Sequence, residues 1–257
     1  MPYIPHTPEE LHEMLSVVGV RSLDELFSDI PSSMRPQSFD LPKGQSEAAV
    51  CGHFEELAAK NCPGHVSFLG AGFYNHDIPK AVDALSGRSE FYTAYTPYQA
   101  ECSQGTLQAI FEFQTAVSRL MEMDCGNASV YDGGTAIFEA AMMAVRSTRR
   151  RVLVVDEAVN PIWRSMLEAY VSSLDLEIKT VSQQNGCSDM DALMAAADTT
   201  CAAVIVQNPN FFGAVADYTA LFAKARSIKA FGVISVYPVM QSVLKTPGEM
   251  GADVAVA

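Results

Sequence analysis

Between Phe91 and Gly105 the chain reads FYTAYTPYQAECSQG, a segment with three tyrosines among amides, hydroxyls and one carboxylate. A tyrosine buries a large ring yet keeps a polar tip that needs a partner. Tyr95, Thr96, Tyr98, Gln99, Glu101, Ser103 and Gln104 therefore have the chemistry of a polar cleft wall or of a subunit joint. They would orient a substrate by hydrogen bonding or packing. The same composition also suits a loop packed on its own domain.

Two other places have the residue types of a binding site. Asp132-Gly133-Gly134-Thr135-Ala136 lies before a predicted helix, where free N–H groups and the helix dipole attract anions. Gly133, Gly134 and Thr135 form a candidate phosphate turn, although a plain tight turn has the same look. Asp132 would repel an anion unless it caps the helix. Asn208, Asn210, Phe211 and Phe212 follow an apolar run and form a candidate cleft edge, or a structural turn. The six cysteines contain no Cys-x-x-Cys pair, and no histidine sits near them at ligand spacing. His65 and His76 flank the Gly70-Ala71-Gly72 turn and read as packed or loop-bonded side chains. No metal site is expected.

The elements that must position these residues are an α/β set. Thr7-Pro8-Glu9-Glu10 is a capping box, with a hydroxyl at the N-cap, proline at the first helical position and a glutamate reaching back. Ser22-Leu23-Asp24-Glu25 has the same pattern. Leu11, Met14, Leu15 and Val18 form one apolar stripe after the first box. A helix over Glu47–Lys60 should turn Val50, Phe54, Leu57 and Ala58 inward. A longer one over Thr106–Met121 reads as core through Leu107, Ile110, Phe111, Val117, Leu120 and Met121.

From Tyr131 onward, helical segments alternate with short apolar runs: Val152–Val155, Ile178–Val181, Ala203–Val206, Phe231–Val236 and Asp253–Val256. Runs of this kind suit strands buried on both faces of a mostly parallel sheet with crossover helices. Residues 1–45 read as an N-terminal helical extension and connector, and 46–257 as the large α/β domain. Net charge is −13 over 257 residues, which disfavours a nucleic-acid partner. No apolar run is long enough to span a membrane, so a cytoplasmic protein is expected.

The segment AYTPYQAECSQGTLQAIFEFQ resembles the signature of the P-protein of the glycine cleavage system, and of its subunit 1 in particular. YIPHTPEELHEML, VGVRSLDELFSDIP, VSFLGAGFYNHDIPKAV, NASVYDGGTAIFEA, QNPNFFG and LKTPGEMGADVAV resemble the same family in the same order. The resemblance covers essentially the whole chain. It implies an aminotransferase-like fold, that of fold type I pyridoxal-phosphate transferases, here without its C-terminal small domain. It also implies a role as subunit 1 of glycine dehydrogenase (decarboxylating).

In that family the cofactor is expected on subunit 2. Tyr237-Pro238 stands where relatives commonly show Asp-Pro, and Asn160-Pro161 where they often show His-Pro. Lys224, Lys229 and Lys245 all precede the last strand, whereas the lysine that bonds the cofactor in this fold follows it. The resemblance therefore implies that this chain holds no pyridoxal phosphate covalently. It implies a heterotetramer with subunit 2, in which Tyr95, Tyr98 and their neighbours line the partner's cleft. The lipoyl group of the H-protein would receive the aminomethyl product. The alternative is a truncated, non-catalytic interaction protein that binds subunit 2 or is an inactive fragment.

Overall fold

The computed structural model describes residues 6–36, 38, 40–62, 64–66, 68, 70, 74–92 and 104–257. It forms two compact units, Met1–Ser67 and Phe68–Ala257. The division places the second helix with the first unit, whereas the sequence reading at 45/46 places it with the large domain.

In the first unit, α1 (Pro8–Val18) starts on the full capping box: Glu10 N–H donates to the Thr7 hydroxyl and Thr7 N–H to the Glu10 carboxylate. It stops at Gly19, in the left-handed conformation that glycine adopts without strain. Its stripe is buried only at Leu15. The second box does not form. Leu23–Phe27 is a 3₁₀ turn whose N-cap Ser22 makes no side-chain bond, because the Glu25 carboxylate accepts the Arg21 N–H at 3.1 Å instead.

Helix α2 (Glu47–Ala58) is capped by Ser46, but Val50, Phe54 and Leu57 face solvent, Phe54 with 63% of its surface exposed. The expected inward stripe is thus an exposed one. Short helices joined by irregular chain supply too little apolar surface to cover each other's faces.

The second unit holds α3 (Lys80–Ser86), α4 (Ser89–Tyr92), α5 (Gln104–Met121) and α6 (Gly133–Thr148). Then follow β1 (Val152–Asp156), α7 (Pro161–Val171), β2 (Glu177–Val181), α8 (Met190–Ala196) and β3 (Cys201–Asn208). It ends with α9 (Thr219–Ser227), β4 (Phe231–Val236), α10 (Pro247–Met250) and β5 (Val254–Val256). The five strands are all parallel, in the order β2-β1-β3-β4-β5.

Alternation along each strand sorts the core into two layers. Val154, Val204, Val206 and Ile234 pack with Leu193 of α8, and with Leu221 and Phe222 of α9. Leu153, Val155, Ile205 and Val233 pack with Ile137 and Ala141 of α6, and with Leu167 of α7. Because α7 and α8 lie on opposite faces, the chain reverses its direction across the sheet between β1 and β3.

Two expectations about burial change here. Strand β2 is buried only at Val181, since an edge strand has one neighbour and one solvated side. In α5 only Met121 is buried and Val117 packs on the core cluster; Phe111 remains 61% exposed and Leu120 is exposed too. The stripe meets the core only toward its C-terminal end. Among the described residues no helix is long and apolar enough to cross a membrane.

Candidate functional site

Parallel strands bring Asp156, Val181, Asn208 and Val236 to one edge of the sheet, and the reversal between β1 and β3 is where open sheets leave a crevice. Asp156 ends β1 with no exposed surface. One carboxylate oxygen accepts the Ala158 N–H at 2.9 Å, and the other accepts the Ser188 hydroxyl. The Ser188 oxygen is also 2.8 Å from the Tyr218 hydroxyl, which reaches the Gln207 carbonyl at 3.3 Å. Burial holds the Asp156 carboxyl above its ordinary range, against the hydrogen bonds from Ser188 and Ala158. Burial likewise pushes the Tyr218 phenol up to about 12, so it stays a neutral donor.

Amides occupy the crevice between β1 and β3. The Gln207 side chain accepts the Asn160 N–H at 2.8 Å, and the Asn160 side chain accepts the Ile162 N–H at 2.9 Å, capping α7. Phe211 N–H bonds to the Ala158 carbonyl across the same gap at 2.9 Å.

Asn208 and Asn210, the expected cleft edge, are both buried. Asn208 exchanges two hydrogen bonds with the backbone of Ala216 at 3.1 and 3.2 Å. Asn210 donates to the Gly186 carbonyl at 2.8 Å and accepts the N–H groups of Phe212 and Ala214, both at 3.0 Å. Their amides hold loops in place. Exposed Phe212, stacked edge-on against Phe211, is what this loop offers to solvent.

The candidate phosphate turn has a packing geometry. Asp132 caps α6 by accepting the Thr135 N–H at 2.8 Å. A Cβ at Gly133 would come within 2.7 Å of the Trp163 ring, and one at Gly134 within 2.5 Å of the Met166 sulfur. The pair of glycines lets α6 lie close on α7. Thr135 supplies the capped N–H.

Beyond β4, the Tyr237 hydroxyl is hydrogen-bonded to His76 Nε2, and the Tyr74 ring meets Tyr237 edge-on at 5.5 Å. Gln241 donates to the Tyr237 carbonyl at 3.3 Å, and its own carbonyl oxygen is buried without a partner among the described residues. His76 is therefore loop-bonded, as its sequence position suggested. Among the described residues no cluster of histidine, cysteine and carboxylates suits a metal.

The cleft-wall candidates Tyr95, Thr96, Tyr98, Gln99, Glu101 and Ser103 lie outside the described residues, and Gln104 opens α5 with its side chain likewise outside them. The sequence reading did not single out the Asp156–Ser188–Tyr218 chain. The one available signal was a carboxylate closing the apolar run VLVVD.

A pyridoxal phosphate needs an anion for its ring nitrogen, a lysine for its aldehyde and free N–H groups for its phosphate. The described residues at this edge do not supply the anion and the lysine. β4 delivers a tyrosine bonded to histidine, and the Asp156 carboxylate is already satisfied. Lys245 is paired with Asp217 at 3.1 Å, and Lys224 and Lys229 belong to the end of α9 and its exit.

A family model described as the glycine cleavage system P-protein matches residues 1–257. The chain is 84% identical over its whole length to the probable glycine dehydrogenase (decarboxylating) subunit 1 of Desulfovibrio desulfuricans, and spans 58% of that relative. It is also similar to a crystal structure of glycine decarboxylase (P-protein) in inhibitor-bound form, with TM-score 0.86 and 41% identity. That match covers 99% of this chain and 57% of the other. A weaker likeness in fold alone, TM-score 0.51 at 14% identity, links it to a sphingosine-1-phosphate lyase of Burkholderia pseudomallei, over 79% of this chain and 50% of that one. The α/β sheet is that of the pyridoxal-phosphate transferase fold.

Proposed function

The chain belongs to the glycine cleavage system P-protein family, and on that premise we propose that it acts as subunit 1 of a two-subunit glycine dehydrogenase (decarboxylating) in the cytoplasm. In this reading the complex decarboxylates glycine and passes the aminomethyl group to the lipoyl arm of the H-protein, while subunit 2 holds the pyridoxal phosphate. The observation that carries it is the 84% identity, unbroken over all 257 residues, to a relative bearing the subunit 1 name. The poor fit of Tyr237, bonded to His76, to the ring nitrogen of that cofactor supports assigning it to the partner.

The part proposed for this chain is to orient the substrate and keep water out. Tyr95 and Tyr98 head the wall, with Thr96, Gln99, Glu101, Ser103 and Gln104 beside them. Placing such donors correctly is worth orders of magnitude in rate without any covalent step. Asn208 and Asn210 act one layer back, by fixing the loops after β3.

The test is reconstitution. Glycine–bicarbonate exchange is measured with subunit 2, pyridoxal phosphate and lipoylated H-protein, with and without this chain. Exchange should need both subunits, and the chain alone should give none and show no internal Schiff-base absorbance. Tyr95→Phe and Tyr98→Phe should each lower turnover roughly tenfold while leaving assembly intact. Failure to associate with subunit 2 would sink the reading and leave a non-catalytic protein in its place.

A further inference from the structure

The amino edge of the sheet, opposite the candidate site, is lined with cations. Arg146 lies in the last turn of α6, Arg149 is its C-cap, and Arg150 and Arg151 lead into β1. These four arginines line a groove of about 610 Å3, with Val145 and Leu174 among its apolar residues. A second groove of about 460 Å3 shares Arg150 and adds Arg226 and Lys229 before β4. The two grooves contain six cations against Asp175 and Asp253, on a chain whose net charge is −13.

Structure accounts for part of this. Arg150 donates to the Cys201 carbonyl at 2.9 Å, Arg151 pairs with Asp175, and Arg226 donates to the Gly251 carbonyl at 2.9 Å. Cations near helix C-termini also offset the helix dipole. The dipole accounts for the placing of Arg146 and Arg149 at the end of α6, but neither they nor Lys229 has a side-chain partner among the described residues. Arg149 and Lys229 moreover sit at φ 59° and 60°, where glycine would be free of strain.

We infer that this amino-edge rim is a docking surface for an acidic segment of a partner protein, its carboxylates paired with the arginines and its apolar side chains on the groove floor. Guanidinium forks match carboxylates two bonds at a time. The grooves share Arg150, so their cations form one contiguous set. They are also open: the side chains of Arg151 and Arg226 are 61% and 64% exposed, unlike the enclosed pockets that hold small anions. The overall negative charge opposes a nucleic-acid backbone at longer range. The inference does not depend on the glycine dehydrogenase reading.

Fluorescence anisotropy of a labelled deca-glutamate peptide against the full chain tests it. The wild type should bind deca-glutamate and not deca-glutamine, and should bind more weakly as salt rises. Arg146→Glu with Arg149→Glu should weaken binding by about tenfold or more. Arg21→Glu with Arg119→Glu, the same charge change elsewhere, should not. Circular dichroism checks that each variant is folded, and Arg149→Gly removes one charge at a position glycine suits. The inference is overturned if the wild type does not bind, if both double variants lose binding equally, or if tripolyphosphate or single-stranded RNA binds as tightly as the peptide.

Discussion

The two edges of the sheet are built from opposite ends of the same strands, yet they use polar side chains in opposite ways. At the carboxyl edge Asp156, Asn160, Asn208 and Asn210 are buried and bonded to nearby backbone or hydroxyl groups. At the amino edge Arg146, Arg149 and Lys229 are solvated and unpaired among the described residues. Polar groups taken from water must find partners or cost free energy, so the first set is committed to holding loops. The second set keeps its bonding capacity for something outside the chain. Polarity at a sheet edge thus has two meanings, and burial separates them.

The sharpest way to break this contrast is at Asn210. Replacement by alanine leaves the Gly186 carbonyl and the N–H groups of Phe212 and Ala214 without their partner. Three lost bonds at about 1 kcal/mol each predict a loss of roughly 3 kcal/mol. Urea unfolding would measure it, and a loss below about 1 kcal/mol would mean that water serves the loop equally well. Gly133→Ala comes next. Its new methyl meets the Trp163 ring at 2.7 Å, so α6 and α7 must separate or the indole must move, at about 1–3 kcal/mol. An unchanged midpoint would mean that the indole moves aside without cost and that the packing of α6 on α7 does not require Gly133.

Sequence pattern reached some of this and missed the rest for identifiable reasons. The run Phe231–Val236 is β4 as read, and the other four strands differ by one to a few residues, because continuous β-branched runs leave little choice. Periodicity also found α2 and α5, but it could not say whether Phe54 and Phe111 are covered: a stripe is a local property and its cover is not. The capping box at Ser22 failed because Glu25 had a competing donor four residues back. Asp156 and Ser188 are 32 residues apart, and Tyr237 and His76 161 apart, so no local spacing joins them. The loop candidates from Tyr95 to Ser103 rest on composition and family resemblance alone.

A smaller effect distinguishes Asp156 from the other clamps, since it alone among them titrates. Burial raises its carboxyl above the ordinary value near 3.9 of an unfolded chain. Arg164, which favours ionisation, and Glu157, which opposes it, are the charges that act on it. Between the unfolded and the folded pKa the folded state holds more protons, so stability falls as pH rises through that window. Asp156→Asn removes this slope. Melting temperatures from pH 3.5 to 7 should show the variant gaining on the wild type by a few degrees as pH rises. Parallel curves would mean that Ser188 and Ala158 stabilise the carboxylate enough to cancel its desolvation.

The smallest expected change is at the amino edge. Arg149→Gly removes a cation from the C-terminus of α6, costing about 0.3–1 kcal/mol of dipole interaction. It also releases a left-handed φ of 59° that costs a non-glycine residue about 1 kcal/mol or more. The two nearly cancel, with glycine's extra freedom in the unfolded chain as a further small cost. The melting temperature should therefore stay within about 2–4 °C of the wild type, the span of 1 kcal/mol for a chain of this size. Peptide binding should weaken in the same protein. A variant that melts far lower would make Arg149 a structural clamp like Asn210, and the two edges would then differ in charge but not in purpose.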